Sequence, residues 1–163
     1  PKGGEDFDGI INYLRKYTNN QIENEITITA SSIVDNNYGP YNSVQYENNK
    51  WFCSKNSANS WICFEFKNYQ IIPTHYTIRS HEDGLNAPIN YIIEGSNDNS
   101  TWFAIDKQNG GPFRNGQQAT FTFPIDKSKQ KEAKYIGLTQ TGINSHQQNY
   151  LRFESIEFYG YLK

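Results

Sequence analysis

The apolar period of this chain changes once, and that change limits what it can fold into. Between residues 7 and 17, Phe7, Ile10, Ile11 and Leu14 recur at i, i+3, i+4 and i+7, which makes one apolar helix face. Asp6 is placed to cap this helix and Asn19-Asn20 to end it. After residue 20 the period becomes two. Glu25 to Ala30, Asn59 to Phe66, Thr74 to Arg79, Asn90 to Glu94, Thr101 to Asp106, Ala119 to Phe123, Lys134 to Thr139 and Leu151 to Tyr159 read as strands. About eight short strands separated by polar loops predict an antiparallel all-β sandwich behind a short N-terminal helix. No second helical pattern of useful length supports a βαβ fold. Residues 1–20 read as a helix or linker that packs on a single domain, 21–163.

At 163 residues the chain is long enough for one sizeable core. Mean hydropathy is low, −0.81. Aromatics nevertheless reach 15%, which a disordered chain would lack. The net charge is −2, with no run of five like charges, so there is no electrostatic footprint for duplex nucleic acid or an acidic membrane. Single-strand binders combine aromatics with a basic stripe, and that stripe is missing. No stretch of about 18 apolar residues offers a membrane span. The chain starts at Pro1 and contains no Met, as expected of a domain cut from a larger multidomain chain. Two cysteines, Cys53 and Cys63, are too few for a disulfide scaffold; they read as small buried hydrophobes, with a bond between them left open, and point to a reducing, cytoplasmic compartment.

The search for chemistry returns no catalytic or metal site. His75, His81 and His146 are not paired at ligand spacing, and no CxxC, HExxH, GxSxG, P-loop or GxGxxG is present. Calcium needs only oxygens, which Asp35-Asn36-Asn37 contains, but an Asx turn explains that triplet better. No cofactor is expected, and the chain reads as no enzyme.

Residues 91–106 form the most informative segment. Tyr91 to Glu94, then Gly95-Ser96-Asn97-Asp98-Asn99-Ser100-Thr101-Trp102, predict a hairpin about an Asn/Asp turn. This resembles the strand, Ser, Asn/Asp turn, Trp signature of discoidin domains, the coagulation factor 5/8 type C family. Ile28-Thr29-Ala30-Ser31-Ser32, Ser60 to Phe66, Tyr135 to Gly142 and Glu154 to Gly160 are similar to the opening, core, penultimate and closing strands of that family, in order across residues 25–161. The look is closest to the intracellular branch found beside BTB, kelch or ankyrin modules. The resemblance implies a galactose-binding-like jelly roll that binds through loops at one end. Trp61 and Trp102, large rings in strands, are expected between the sheets.

By the same resemblance three loops gather at the binding end. The first holds Tyr38 and Tyr41. The second follows Arg79 and holds His81, Asp83 and Asn86. The third holds Asn144, His146 and Asn149. Such residues pair with sugar hydroxyls, which need both donors and acceptors. The expected partner is therefore a glycan or similar polar ligand, with a protein ligand as the alternative. Few apolar and no clustered basic residues sit at the loop tips, which disfavours membrane insertion.

Overall fold

The computed structural model describes residues 7–163. Asp6 lies outside them. Helix α1 spans Ile10–Tyr17, shorter at its start than the periodicity implies, and Gly9 occupies its N-cap position. Glycine has no side chain to satisfy the first N–H groups of a helix. A carboxylate from the far end of the chain does so instead. Glu157 Oε2 accepts from the Gly9 and Asn12 N–H groups, at 3.1 and 2.9 Å, and Oε1 from Ile11 N–H, at 2.9 Å. Its own neighbour Phe158 N–H donates to Oε1 at 2.8 Å. The approach requires glycine: a Cβ at Gly9 would stand 2.4 Å from the Phe158 carbonyl oxygen. Ile10, Ile11 and Leu14 are buried, and Phe7 is fully buried with the Arg79 guanidinium 4.6 Å over its ring.

Ten strands follow among the described residues: β1 (Ile26–Ala30), β2 (Phe52–Cys53), β3 (Trp61–Phe66), β4 (Ile71–Arg79), β5 (Asn90–Ser96), β6 (Phe103–Asn109), β7 (Thr120–Pro124), β8 (Tyr135–Gln140), β9 (Arg152–Phe153) and β10 (Ser155–Leu162). All pair antiparallel. One sheet runs β1-β3-β8-β5-β6, a second β10-β4-β7, and a two-stranded ribbon joins β2 to β9. This is the expected all-β jelly-roll sandwich. The eight predicted strands are present; the last divides into β9 and β10, and the two-residue β2 was too short to alternate.

The core lies between the two larger sheets. Ile62, Phe64 and Phe66 of β3, Ile136 and Leu138 of β8, and Tyr91 and Ile93 of β5 face inward, opposite Tyr76 and Ile78 of β4 and Phe158 of β10. Two phenol hydroxyls are taken into this core. The Tyr76 hydroxyl donates to Asp106 Oδ2 at 2.6 Å and lies 2.9 Å from the Tyr91 hydroxyl. Both phenols therefore meet the requirement that buried polar atoms be paired. The hairpin between β5 and β6 closes as its sequence implies. Asp98 Oδ1 accepts from the Ser100 and Thr101 N–H groups, and Asn99 sits at φ 60°, a conformation asparagine tolerates.

Trp61 and Trp102 correct an expectation. Neither fills the space between the sheets. Inward positions on β3 are the even-numbered ones, so Trp61, Cys63 and Glu65 face outward, and Trp61 is 38% exposed. Trp102 lies on the same outer face, over Gly137 of β8. The cysteines are both free thiols: Cys53 is buried and Cys63 half-buried.

Candidate functional site

The three loops expected at the binding end join β1 to β2, β4 to β5 and β8 to β9, and in the structure they span 31–51, 80–89 and 141–151. Their residues do not form one set. At the centre of those brought together is Trp51, immediately before β2. Its ring stacks on Tyr38, with centroids 4.7 Å apart and planes 16° from parallel, and meets the edge of His81 at 4.2 Å. The Arg152 guanidinium lies 5.9 Å from the same ring. Arg152 also reaches Asp83 through both terminal nitrogens, at 3.3 and 3.0 Å, the two-point geometry that carboxylates favour. Two loops and β9 thus share one aromatic-and-charged cluster, built on Tyr38, Trp51, His81, Asp83 and Arg152.

Its electrostatics are set locally. Burial lowers the His81 imidazole below its ordinary range, and the Arg152 charge adds to this, so the ring is neutral near pH 7. His81 Nδ1 is 3.1 Å from the Asp83 N–H and 3.0 Å from Asp83 Oδ1. One tautomer accepts from the amide and the other donates to the carboxylate. Burial alone would raise the Asp83 carboxyl. The Leu85 N–H, Arg152 and His81 outweigh burial and hold it below the ordinary range. The cluster therefore offers a fixed anion, a fixed cation, a neutral imidazole and a half-buried aromatic pair.

The other predicted residues have different work. Asn144 is buried and organises the third loop. Its amide donates to Asn86 Oδ1 at 3.1 Å and to the Tyr150 carbonyl at 2.9 Å, and its oxygen accepts from the His146 and Gln148 N–H groups. Asn86, at φ 60°, ties the second loop to the third through that contact. The Asn149 backbone N–H donates to Asn56 Oδ1, and the His146 side chain is exposed. Two predicted residues lie apart from the cluster. The Tyr41 hydroxyl is spent on the free edge of β1, between the Ile28 N–H and the Ile26 carbonyl. Arg79 turns toward Thr120, Glu154 and Phe7, on the outer face of the smaller sheet. In the Asp35-Asn36-Asn37 stretch, Asp35 Oδ1 accepts from the Asn37 N–H, an Asx turn. Among the described residues no group of three His, Cys, Asp or Glu could hold a metal ion, and no helix is long and apolar enough to cross a membrane.

Sequence reasoning missed Trp51 and Arg152. Trp51 follows an Asn-Asn-Lys turn and carries no periodic signal. Arg152 sits within a strand pattern, where a polar residue reads as merely solvent-facing.

The sandwich shares its fold with solved carbohydrate-binding modules. The C-terminal domain of a chitobiase from Bacteroides fragilis superposes with TM-score 0.67 at 15% identity, covering 86% of this chain and 97% of that one. A CBM32-5 module from Clostridium perfringens, in complex with GalNAc-β-1,3-galactose, gives 0.65 at 14%, covering 85% and 97%. Chitosan-binding module 1 from a chitosanase/glucanase of Paenibacillus sp. IK-5 gives 0.64 at 20%, covering 83% and 96%. At these identities the likeness is one of fold. In sequence, a 111-residue stretch, 66% of this chain, is 32% identical to the E3 ubiquitin-protein ligase Ufd4 of Drosophila melanogaster, and spans 4% of that protein's length. No family model matches the chain.

Proposed function

We propose that this chain is a non-catalytic recognition module that binds a saccharide at the loop end, on the Trp51 cluster. The observation that carries the reading is the convergence of two loops and β9 on one half-buried ring, with Asp83, His81 and Arg152 around it. An aromatic plate serves the apolar face of a sugar ring, and the charged groups serve its hydroxyls. The fold shared with modules whose structures hold GalNAc-β-1,3-galactose, galactose or chitotriose supports the same reading. Within that fold we assign the chain to the discoidin family, on the hairpin through Ser96, Asp98 and Trp102 and on the order of the strands. The likeness to a small part of Ufd4 supports a second reading, a protein-recognition module inside a much longer chain.

The test is a titration of the 163-residue chain with galactose, GalNAc-β-1,3-galactose and chitotriose, followed by NMR at the Trp51 indole N–H. At least one sugar should move that signal saturably. Trp51→Ala should abolish binding, read at the His81 and Asp83 backbone amides, and Arg152→Ala should weaken it by about tenfold or more. If no sugar moves Trp51 up to millimolar concentration, the saccharide reading is wrong and the protein-recognition reading replaces it.

A further inference from the structure

A second feature lies away from the loops, on the outer face of the five-stranded sheet. A trough of about 360 Å³ crosses it, with a floor and walls drawn from β1, β3, β8, β5 and the β5–β6 turn. That volume is within the range of small-molecule sites, roughly 300–1,000 Å³. Four adjacent strands at their usual spacing give it a breadth of about 14 Å, more than one sugar ring needs.

The trough follows from sheet parity. Thr29, Cys63, Gly137 and Glu94 stand in one row across β1, β3, β8 and β5, because each is the cross-strand partner of the next. Gly137 leaves the middle of that row bare. Trp102 rests there directly: a Cβ on Gly137 would lie 3.6 Å from its ring. Tyr135 holds the indole edge-on, at 6.5 Å between centroids and 66° between planes. Trp61 forms the opposite wall and is 38% exposed. Burial pushes the Cys63 thiol up to about 11, and Glu65 adds to this, so that part of the floor is neutral and unreactive.

Glu94 is the group the fold leaves unanswered. It is half-buried, and its cross-strand neighbours are Gly137 and Ala104, neither of which can pair with it. Among the described residues it makes no hydrogen bond or ion pair. Glu65, by contrast, has Lys134 at 4.0 Å. The trough therefore carries an uncompensated carboxylate in a lining that also holds two indoles, threonine hydroxyls and the Asn99 amide.

We infer that this face is a second saccharide site, independent of the loop cluster, which takes an extended neutral oligosaccharide lying across the strands. Trp61 and Trp102 stack on sugar rings, and Glu94 accepts from their hydroxyls. A carboxylate with free lone pairs suits a ligand rich in O–H donors and repels an acidic one. A docked peptide would meet side chains alone here, since peptides gain backbone hydrogen bonds at sheet edges and not on faces. The cores of protein interfaces are depleted in charge, whereas this floor holds two glutamates.

The three tryptophans make the test self-reporting, because Trp51 marks the loop end and Trp61 and Trp102 mark the trough. The 163-residue chain is titrated with cellohexaose, xylohexaose and hexa-N-acetylchitohexaose, with hexagalacturonate as the acidic control, and the three indole N–H signals are followed. At least one neutral hexasaccharide should move Trp61 and Trp102 together, and hexagalacturonate should not. Trp61→Ala should abolish the response, Glu94→Gln should weaken it at least tenfold, and Trp51→Ala should leave it intact. The inference is overturned if no neutral hexasaccharide moves the two signals, if the acidic one moves them equally, or if Glu94→Gln binds as wild type. It is overturned too if protein concentration alone moves them, which would mean that a second copy covers the face.

Discussion

Glu157→Gln isolates the contact that fastens α1 to the sandwich. In the wild type, each carboxylate oxygen accepts two N–H groups: Ile11 and Phe158 on Oε1, Gly9 and Asn12 on Oε2. Glutamine keeps one oxygen and replaces the other with a donor that faces two donors. The side chain will settle with its oxygen toward Ile11 and Phe158, whose hydrogen bonds are buried, and its NH₂ toward Gly9 and Asn12, whose bonds are only partly so. Two orphaned N–H groups at the lower end of roughly 1–3 kcal/mol each give about 2–3 kcal/mol. Loss of the negative charge at the helix N-terminus adds about 0.3–1 kcal/mol. The expected total is about 2–4 kcal/mol, read from urea unfolding at pH 8. Amide hydrogen exchange should localise it: Ile11, Asn12 and Tyr13 lose protection, while the central strands β3 and β8 stay protected up to the reduced global stability. A loss below about 1 kcal/mol with α1 amides still protected would refute the claim that Glu157 caps this helix.

Three further perturbations address the loops and the buried charge. Asn144→Ala removes four hydrogen bonds from one buried amide and should cost about 2–4 kcal/mol, with faster exchange at the His146 and Gln148 amides. Gly84 sits at φ +70° with space for a Cβ already taken by the Gln117 nitrogen at 2.1 Å, so Gly84→Ala should destabilise by at least about 2 kcal/mol in thermal unfolding. Glu154 is buried with Arg79 only at 3.9 Å, and burial pushes its carboxyl from an ordinary 4.5 up to about 7, with Arg79 pulling the other way. The folded state then holds a proton that the unfolded chain has released, so this group's contribution falls as pH rises from about 4.5 to about 7, by at most about 1.4 kcal/mol per pH unit. Urea midpoints at pH 5, 6, 7 and 8 should show a slope that Glu154→Gln makes more positive; equal slopes in the two proteins would contradict it.

Much of the fold was legible because strand parity is a local property. Ile62, Phe64 and Phe66 alternate with Trp61, Cys63 and Glu65, and the structure buries the first three. The turn through Asp98 and Asn99 was legible for the same reason, since its hydrogen bonds join residues two or three apart. Parity was also enough to place Trp61 outside, on the face with Glu65. The size of the ring argued the other way, and parity won because the inward positions were already filled by phenylalanine and isoleucine. The site was less legible because its contacts are long-range. Trp51 and Arg152 are about a hundred residues apart in the chain and meet through the β2–β9 ribbon, whose two-residue strands have no alternation to read. Tyr41 lay in one of the right loops and Arg79 at the base of another, yet their partners, the β1 edge and Glu154, are set by packing alone.

The outward tryptophans bear on what the sandwich is for. A large apolar ring left in water forgoes roughly 1.5–3 kcal/mol of burial, so a fold gains nothing by exposing one unless something covers it. This chain exposes indoles at two separated places and treats them differently. At the loop end, Trp51 is braced by Tyr38, His81 and Arg152, and the cluster's own two charges, Asp83 and Arg152, pair with each other. On the sheet face, Trp102 is braced by Tyr135 over a bare glycine, and Glu94 beside it is unpaired. A preformed, electrically balanced cluster favours a compact ligand held by shape and a few directed hydrogen bonds. An open trough with a spare carboxylate favours a longer ligand that brings its own donors. The two surfaces would then differ in ligand length before they differ in sugar identity. A series from monosaccharide to hexasaccharide should separate them: the affinity read at Trp51 levels off early, and the affinity read at Trp61 and Trp102 continues to rise with chain length.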